Sequence, residues 1–275
     1  TIFAEWFGKY EIGDELPEGW RVGKLGEILK IKQGKYVKSD KISDIKSKSF
    51  VSIIGASGSG KSTFLRIASG LISQSSGSIS YKDNIKPKMG FVFQDSTLLP
   101  WRNVLDNILL PLELTKKINS ESLEKSHNWL ERVGLKGKGK SFPGELSGGQ
   151  KMRVSIARAM VQGGNFLLLD EPFSALDEVT RRRLEDDLLE IWETNNITVL
   201  FVTHSVTQAV YLSQRVLVLS SGPGMLLEDL AIERNFKDGF EETPQFLSQV
   251  RHLTNILKEE GGEISLDIYH ILLHF

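Results

Sequence analysis

Apolar residues along this chain form short continuous runs separated by longer stretches with helical periodicity. Continuous runs are typical of strands buried on both faces, and a period near 3.6 is typical of the helices that cover them. The pattern predicts strands at 50–54, 77–81, 89–93, 166–169, 197–203 and 215–220, and helices at 64–71, 103–117, 120–133, 151–161, 177–195 and 243–259. Strands and helices that alternate at this spacing predict an α/β fold with a mostly parallel sheet covered on both faces.

A glycine-rich loop connects the first predicted strand to the first predicted helix. It matches the phosphate-binding pattern G-x-x-x-x-G-K-[ST] in the required strand and helix context. Its residues are Gly55, Ala56, Ser57, Gly58, Ser59, Gly60, Lys61, Ser62 and Thr63. Glycines let the backbone aim its N–H groups at phosphate oxygens, and the following helix N-terminus adds positive potential. We expect a triphosphate site in which Lys61 reaches the β- and γ-phosphates and Ser62 binds Mg²⁺.

The composition excludes several classes of function. The chain has 275 residues, and its 34 Lys and Arg residues are balanced by 35 Asp and Glu, which gives no overall sign of affinity for nucleic acid. There is no cysteine, so disulfides, thiolate metal sites and cysteine nucleophiles are excluded. No apolar run approaches the ~20 residues that span a bilayer, and the first residues lack a signal-peptide pattern. We expect a soluble, cytosolic chain.

Polar residues of types used in catalysis and metal binding follow three of the predicted strands. Gln94 closes the strand at 89–93, Asp170 and Glu171 follow the strand at 166–169, and His204 follows the strand at 197–203. The carboxyl ends of parallel strands meet at one edge of a sheet, where ligands bind. We expect these side chains to lie at the same edge as the glycine-rich loop.

The order of these motifs resembles the ATP-binding-cassette ATPase family. The resemblance rests on the loop at 55–63, Gln94, the stretch 146–150 (Leu-Ser-Gly-Gly-Gln), the strand ending in Asp-Glu at 170–171, the stretch 174–177 and His204. It implies a P-loop NTPase with a RecA-like parallel core at 49–235 and a helical subdomain at about 97–150. Residues 1–48 would form an atypical N-terminal β region, and residues 236–275 a helical tail.

The resemblance also implies a role for each residue at the sheet edge. Asp170 and Ser62 would hold Mg²⁺, Gln94 would reach both the metal and the attacking water, and Lys61 would bind phosphate. Glu171 would act as general base toward the attacking water, and His204 would contact the γ-phosphate. The implied reaction is ATP hydrolysis.

A second group of residues implies a dimer. In the family, the stretch corresponding to Leu146–Gln150 lies at a helix N-terminus and contacts the ATP bound to the opposite subunit. The residues implied at this contact are Ser147, Gly148, Gly149, Gln150 and Asp177. The active unit would be a homodimer with two ATP molecules at its interface.

Three further stretches resemble importer cassettes for nitrate, sulfonate and taurine: 93–94, 98–107 and 218–224. The resemblance implies membrane-spanning permease subunits, a solute-binding protein and a peripheral position on the cytoplasmic face of the cell membrane. Leu98, Leu99 and Trp101 would lie near the permease, with packing in the core as the alternative.

The N-terminal segment departs from the family. Residues 1–42 resemble a fragment of the specificity subunit of type I restriction enzymes, and the family's usual glycine near Lys48 and Ser49 is absent. Tyr36 is the first candidate to stack on adenine, followed by Tyr10 and Trp20. A mosaic or designed chain is one interpretation of this change in character.

Two other functions stay open from the sequence. One is a cassette ATPase of DNA repair or chromosome maintenance, or a DNA-binding module in residues 1–42. The insertion between Gln94 and Ser147 carries neither cysteines nor sustained heptads, so we expect no nucleic-acid partner. The other is a folded but inactive cassette, impaired by its N-terminal segment.

Overall fold

A single six-stranded sheet organises the part of the chain that the structure describes. The computed structural model describes residue 45 and residues 47–73, 79, 86–221, 225–232 and 239–260. The strands are β1 (Phe50–Gly55), β2 (Met89–Val92), β3 (Phe166–Asp170), β4 (Thr198–Val202), β5 (Arg215–Leu219) and β6 (Leu226–Ala231). Their order across the sheet is β2-β3-β4-β1-β5-β6, so the first of the described strands lies in the middle.

Strands β1 to β5 are parallel, as the continuous apolar runs predict. Val51 of β1 pairs with Leu200 on one side and Arg215 on the other. Strand β6 pairs antiparallel with β5 and was not predicted. Its sequence, Leu-Leu-Glu-Asp-Leu-Ala, shows no clear alternation, and most of its residues are half-buried at the sheet edge. An edge strand of this kind gives little periodic signal.

Seven α-helices pack around the sheet within the described ranges. They are α1 (Lys61–Ser69), α2 (Val104–Leu114), α3 (Ser120–Arg132), α4 (Gly148–Met160), α5 (Glu178–Asn195), α6 (Val206–Leu212) and α7 (Pro244–Glu259). Six of them correspond to predicted helices. Helix α6 was missed because seven residues span only about two turns, too few for a periodic pattern to stand out.

Alternate residues of the central strands face opposite sides of the sheet. Phe50, Leu169 and Phe201 belong to a core built with α2, α3, α4 and α5. Val51 and Leu200 belong to a second core, which includes Leu65 of α1. The prediction of an α/β sheet covered on both faces is therefore confirmed.

Two predicted helix starts were wrong by one turn. Helix α1 begins at Lys61, three residues before the predicted start at residue 64. Helix α4 begins at Gly148, three residues before the predicted start at residue 151. Glycine has low helix propensity, which favoured a loop at 148–149. The Ser147 side chain caps the helix and overrides that propensity, because it accepts a hydrogen bond from the N–H of Gln150.

The last described helix shares a core with the sheet. Phe246, Val250 and Leu253 of α7 pack with Val210 of α6 and Ile54 of β1. This helix lies in the segment predicted as a helical tail. Within the described residues, no helix combines the length and the apolar character needed to cross a membrane.

Several predictions fall outside the described residues. These are the N-terminal segment up to residue 44 with Tyr36, Tyr10 and Trp20, most of the expected strand at 77–81, residues 222–224 and the tail from residue 261. They stay predictions.

Candidate functional site

The glycine-rich loop lies at the carboxyl end of β1, in the middle of the sheet. Gly58 and Gly60 have φ values of 79° and 89°, in the left-handed region that glycine adopts without strain. A Cβ added to Gly55 would lie 2.7 Å from the carbonyl oxygen of Leu219. The loop therefore needs glycine for its backbone path at 58 and 60, and for its close approach to β5 at 55.

Lys61 is the buried cation of this loop. Its side chain folds back so that Nζ donates hydrogen bonds to the carbonyl oxygens of Gly55 at 2.8 Å and Ala56 at 2.9 Å. Only 6% of Lys61 is exposed, and this burial lowers the pKa of its ammonium, while the nearby carboxylates of Glu171 and Asp170 act in the opposite direction. A cation held by carbonyl oxygens in a glycine loop is suited to bind an anion.

Ser62 and Asp170 bring two oxygen ligands together beside that cation. The Ser62 hydroxyl donates a hydrogen bond of 2.7 Å to Oδ1 of Asp170, the last residue of β3. Burial raises the pKa of the Asp170 carboxyl, and the hydrogen bond from Ser62 opposes that shift. A buried carboxylate next to a hydroxyl is a donor set that fits a hard divalent cation such as Mg²⁺.

Glu171 follows Asp170 with an unusual backbone conformation. Its φ is 45°, in the left-handed region that costs a non-glycine residue about 1–2 kcal/mol. Its N–H donates to the carbonyl oxygen of Val202 at 3.0 Å, which holds the residue at the end of the sheet. This conformation ends β3 abruptly and directs the two carboxylates into different environments.

The carboxylate of Glu171 is paired with His204. Oε2 of Glu171 lies 3.0 Å from Nδ1 of His204, which follows β4. The hydrogen bond to His204 is the main cause that lowers the pKa of Glu171, and the same bond raises the pKa of His204. The arrangement therefore favours an ionised Glu171 next to a protonated imidazole.

Gln94 lies at the same sheet edge, exposed, two residues beyond the end of β2. Strand β2 pairs with β3, with Val92 opposite Leu169. Gln94 therefore follows the strand that lies next to β3, whose last residue is Asp170. The structure thus gathers the glycine loop, Gln94, the two carboxylates and His204 at one edge, as expected from the ends of parallel strands.

Two residues that the sequence analysis did not identify hold the segment after Gln94. The Arg158 guanidinium of α4 donates to the carbonyl oxygens of Ser96 and Thr97, each at 2.8 Å, and burial lowers its pKa to about 10. The Ser155 hydroxyl donates to the same Ser96 oxygen at 2.7 Å. The sequence signal that could have identified Arg158 was its position as a basic residue among the apolar residues of α4.

The stretch 147–150 begins α4 with reciprocal caps. Gln150 Oε1 accepts a hydrogen bond from the Ser147 N–H at 3.1 Å, in return for the cap that Ser147 provides. This S-x-x-Q capping box was a sequence signal for the true start of the helix. Gly149 is buried, and an added Cβ would lie 2.8 Å from Cγ2 of Thr180 on α5.

Asp177 begins the neighbouring helix α5. Its carboxylate accepts a hydrogen bond of 2.9 Å from the N–H of Thr180, and this bond lowers the pKa of Asp177. Ser147, Gly148 and Asp177 are exposed. None of the hydrogen bonds in the described part of the chain joins them to the loop at 55–63. Within one subunit they form a separate group at two helix N-termini.

The predicted docking residues divide between core and surface. Leu98 packs against the main core, whereas Trp101 is 69% exposed. The loop that carries Trp101 is held by Asn107, a fully buried residue of α2 whose side chain bonds to the backbone of Leu99, Arg102 and Asn103. The exposed Trp101 is thus carried by an ordered loop.

Comparison with known proteins identifies close relatives. The model of the family described as ABC transporter matches residues 41–174. The aliphatic sulfonates import ATP-binding protein SsuB of Bacillus thuringiensis is 42% identical over 225 residues, which cover 80% of this chain and 87% of that protein. The taurine import ATP-binding protein TauB of Escherichia coli is 38% identical over 224 residues, covering 78% of this chain and 88% of the relative.

A solved structure shares the fold. It is a dimeric ATP-binding cassette in a post-hydrolysis state, bound to ADP and Pi, with 33% identity and a TM-score of 0.60. The match covers 70% of this chain and 89% of the other. Both sequence and structure therefore relate most of this chain to one family.

Proposed function

Since this chain belongs to the ATP-binding-cassette transporter family and is an ATPase of that type, we propose that it powers an importer for small anions such as sulfonates, taurine or nitrate. The observation that carries the catalytic part is the convergence of Lys61, the Ser62–Asp170 pair and the Glu171–His204 pair at one sheet edge. The relatives named above support the importer part.

The loop at 55–63 binds the triphosphate in this proposal. Its glycines leave room for phosphate oxygens close to the backbone, and Gly60 places the first turn of α1 directly behind them. Lys61 exchanges its carbonyl partners for β- and γ-phosphate oxygens. The attraction between its ammonium and the phosphates compensates for burial of the charge.

Ser62, Asp170 and Gln94 hold Mg²⁺ in the proposal. A bound Mg²⁺ neutralises charge that develops on the β- and γ-phosphates. The Ser62 hydroxyl and Asp170 carboxylate already lie within hydrogen-bonding distance, so they converge on one point. Gln94 would supply a further oxygen from the end of the neighbouring strand, and Arg158 fixes the segment that follows it.

Glu171 acts as the general base toward the attacking water. Its carboxylate is ionised at neutral pH, since the pKa lies below the usual value of 4.5, and an ionised carboxylate can accept a proton. His204 holds Oε2 of that carboxylate, which fixes its orientation and leaves Oε1 to face the water. The protonated imidazole also places positive charge where it can contact the γ-phosphate.

A second copy of the chain completes the site. Ser147, Gly148, Gly149 and Gln150 begin α4, and Asp177 begins α5, so this face presents two helix N-termini to a partner. The positive ends of helix dipoles favour a phosphate from the opposite subunit. The dimeric assembly of the solved relative supports this arrangement.

Membrane-spanning permease subunits and a solute-binding protein are the other proposed partners. The exposed Trp101 lies near the start of the helical subdomain, on a loop ordered by Asn107. Its ring offers an apolar contact to a permease loop. This contact places the chain peripherally on the cytoplasmic face of the cell membrane. Substrate choice then belongs to the partners.

The first experiment measures MgATP hydrolysis by the purified chain over a series of protein concentrations. Activity per chain should rise with concentration, because two chains form each site. The variant Glu171→Gln should lose about 100-fold or more in kcat while it still binds ATP. Lys61→Ala should lose ATP binding. Matched controls are Glu124→Gln on the exposed face of α3 and Lys138→Ala in an exposed loop.

Hydrolysis that is unaffected by Lys61→Ala would contradict the proposed site. The importer part needs a separate measurement in the organism that encodes the chain. Deleting the gene should abolish uptake of one radiolabelled anion among taurine, ethanesulfonate and nitrate, and the wild-type gene, but not Lys61→Ala, should restore it. Unchanged uptake of all three would overturn the importer proposal and leave the ATPase intact.

A further inference from the structure

We propose that Gln208 and Glu185 are positioning residues for His204, acting through a buried chain of hydrogen bonds that runs from α5 to the end of β4. This inference rests on the proposed role of His204 in ATP hydrolysis. Neither residue belongs to the motifs that led to the site.

The chain of hydrogen bonds starts on the residue before His204. The Thr203 hydroxyl donates to Oε1 of Gln208 at 2.6 Å, and the same hydroxyl accepts from the N–H of Ser205 at 3.0 Å. The Gln208 amide nitrogen Nε2 then donates to Oε1 of Glu185 at 2.8 Å. All four of these residues are buried.

Gln208 forms hydrogen bonds with the residues on both sides of His204. Its side chain binds Thr203, which precedes the histidine, and its N–H donates at 3.3 Å to the Ser205 hydroxyl, which follows it. The backbone of Thr203 is also tied to β1, because its N–H donates to the Ile53 carbonyl oxygen at 3.2 Å. The loop at 203–205 is therefore fixed to the central strand and to α6.

His204 itself depends on that loop for its position. Its side chain is 53% exposed, so packing constrains the imidazole only in part. A shift of the backbone at 203–205 moves Nδ1 relative to Glu171 Oε2, the atom with which it forms the 3.0 Å bond. Small displacements of a reacting group are costly for rate, so buried support of this loop has a functional consequence.

The polarity of the network explains why a glutamine is needed at 208. Thr203 requires an acceptor, and Glu185 requires a donor, and one amide supplies both. A carboxylate at 208 cannot donate to Glu185, and an apolar side chain satisfies neither partner. Buried groups left without partners destabilise the local structure, so a wrong residue at 208 disturbs the loop.

The charged and titratable groups around Glu185 come from three elements. Arg181, Arg182 and Asp186 lie on α5, Tyr211 lies on α6, and Glu241 lies in a 3₁₀ turn before α7. Burial raises the pKa of Glu185 to about 7, and Arg182 Nη1 lies 3.8 Å from its Oε2. In either protonation state, Oε1 can accept the hydrogen bond from Gln208.

The test measures the titration of His204 by NMR with ¹³C-labelled histidine. The chain has five histidines, and His204→Gln assigns the resonance. In the wild type the pKa of His204 should lie above its usual value of 6.5, because Glu171 favours the charged ring. In Gln208→Met it should fall back toward that value. Gln162→Met, at an exposed turn, is the control and should leave the titration unchanged.

A reciprocal exchange tests the polarity argument. Gln208→Glu alone should shift the titration of His204 away from that of the wild type and lower the kcat, because two buried carboxyl groups then face each other. Glu185→Gln alone should have little effect, because its amide oxygen still accepts from Gln208. The double variant Glu185→Gln, Gln208→Glu should restore the wild-type titration, because the donor and acceptor are exchanged between the two residues.

Hydrolysis provides the second readout. Gln208→Met should lower kcat by about tenfold or more with KM for ATP changed less than about twofold, since His204 acts on the reacting phosphate. The melting temperature is measured in parallel. A variant that melts at a lower temperature but keeps the His204 titration and kcat of the wild type would overturn the proposal in favour of a structural role.

The design separates this inference from the proposed function. If the wild type hydrolyses no ATP, the proposed catalytic site fails, and the His204 titration still tests the positioning role. If Gln208→Met does not fold, the exchange decides: identical His204 titration in Gln208→Glu and in the double variant would overturn the proposal.

Discussion

Nδ1 of His204 and Oε2 of Glu171 lie 3.0 Å apart, and this single hydrogen bond moves the pKa values of the two groups in opposite directions. The pair joins the ends of β3 and β4 directly beside the phosphate loop. It therefore links the stability of the sheet edge to pH.

The pair should stabilise the chain most at mildly acidic pH. The raised pKa of His204 contributes stability that is present below the usual value of 6.5 and is lost as pH rises through the raised value. The lowered pKa of Glu171 contributes stability that is present above 4.5 and is lost as pH falls through the lowered value. Both contributions are present between 4.5 and 6.5.

We therefore expect the stability difference between wild type and His204→Gln to be larger at about pH 5.5 than at about pH 8.5. The difference should not exceed about 1 kcal/mol, because both side chains are partly exposed. Urea unfolding at the two pH values measures it. His127→Gln, on the exposed face of α3, controls for loss of an imidazole. A difference that grows toward pH 8.5 would contradict the assignment.

Asn107 should be needed for the loop that carries Trp101. Its Oδ1 accepts from the Leu99 N–H at 2.8 Å, and its Nδ2 donates to the carbonyl oxygens of Leu99, Arg102 and Asn103. Asn107→Ala removes these bonds from a fully buried position, so we expect a loss of about 2 kcal/mol in unfolding free energy.

Chemical denaturation measures that loss, and Asn128→Ala on the exposed side of α3 is the matched control. The loss should be accompanied by weaker coupling to the proposed permease, since the Trp101 loop is no longer fixed. ATP hydrolysis by the isolated chain should change little. Equal stability of Asn107→Ala and Asn128→Ala would show that the loop is held by other contacts.

Gly149 should be required for packing within one subunit. An alanine Cβ would lie 2.8 Å from Thr180 Cγ2 and 3.4 Å from Leu184 Cδ1, so α4 and α5 must separate slightly. We expect Gly149→Ala to cost about 1–3 kcal/mol, as overpacking in a core does. Gly144→Ala, where an added Cβ meets no atom within 4 Å, is the control for thermal unfolding.

The variant Thr180→Ser removes the methyl group that the alanine meets. The combination of Gly149→Ala and Thr180→Ser should therefore recover most of the stability lost in the single variant. ATPase activity that stays low in the recovered protein would assign a separate role to Gly149 at the dimer contact. No recovery of stability would refute the steric explanation.

Lys48 should be replaceable by glycine with a gain in stability. Its φ is 71°, in the left-handed region, and its backbone is held by Thr198 Oγ1 and by Nε1 of Trp192. Both contacts are made by the backbone of Lys48, so glycine keeps them and relieves a strain of about 1 kcal/mol. This is the position near which the family's usual glycine is absent.

Thermal unfolding of Lys48→Gly and Lys48→Ala measures the effect. Alanine removes the same long side chain but keeps the Cβ and its strain, so it separates backbone conformation from side-chain interactions. Glycine should raise the melting temperature above both alanine and the wild type. Equal gains for both variants would attribute the effect to the lysine side chain instead.

The sheet edge could be predicted from the sequence because its signals are local. Three of the continuous apolar runs end in a polar residue, as Leu169 is followed by Asp170, and parallel strands place such ends together. The glycine-rich loop was equally readable, since its pattern specifies both backbone and chemistry. The structure places these groups at one edge, as the sequence pattern predicts.

The contacts that orient the site could not be predicted, because they depend on pairing between distant residues. Thr203, Gln208 and Glu185 are unremarkable in sequence, and only the packing of α5 against α6 brings them together. The left-handed conformation of Glu171 has no sequence signal either, because it is imposed by the ends of β3 and β4. Both the hydrogen-bond network and the conformation of Glu171 therefore depend on tertiary structure rather than on local sequence.

The central position of β1 has a consequence for how the chain is made. This strand is synthesised before its hydrogen-bonding neighbours β4 and β5, which emerge from the ribosome only after α2, α3, α4 and α5. Non-local pairing of this kind is slow, and the nascent strand exposes its apolar residues while it waits. Gly55 meets Leu219 only when β5 has joined the sheet. The phosphate loop therefore acquires its final shape only after the chain has been translated through β5.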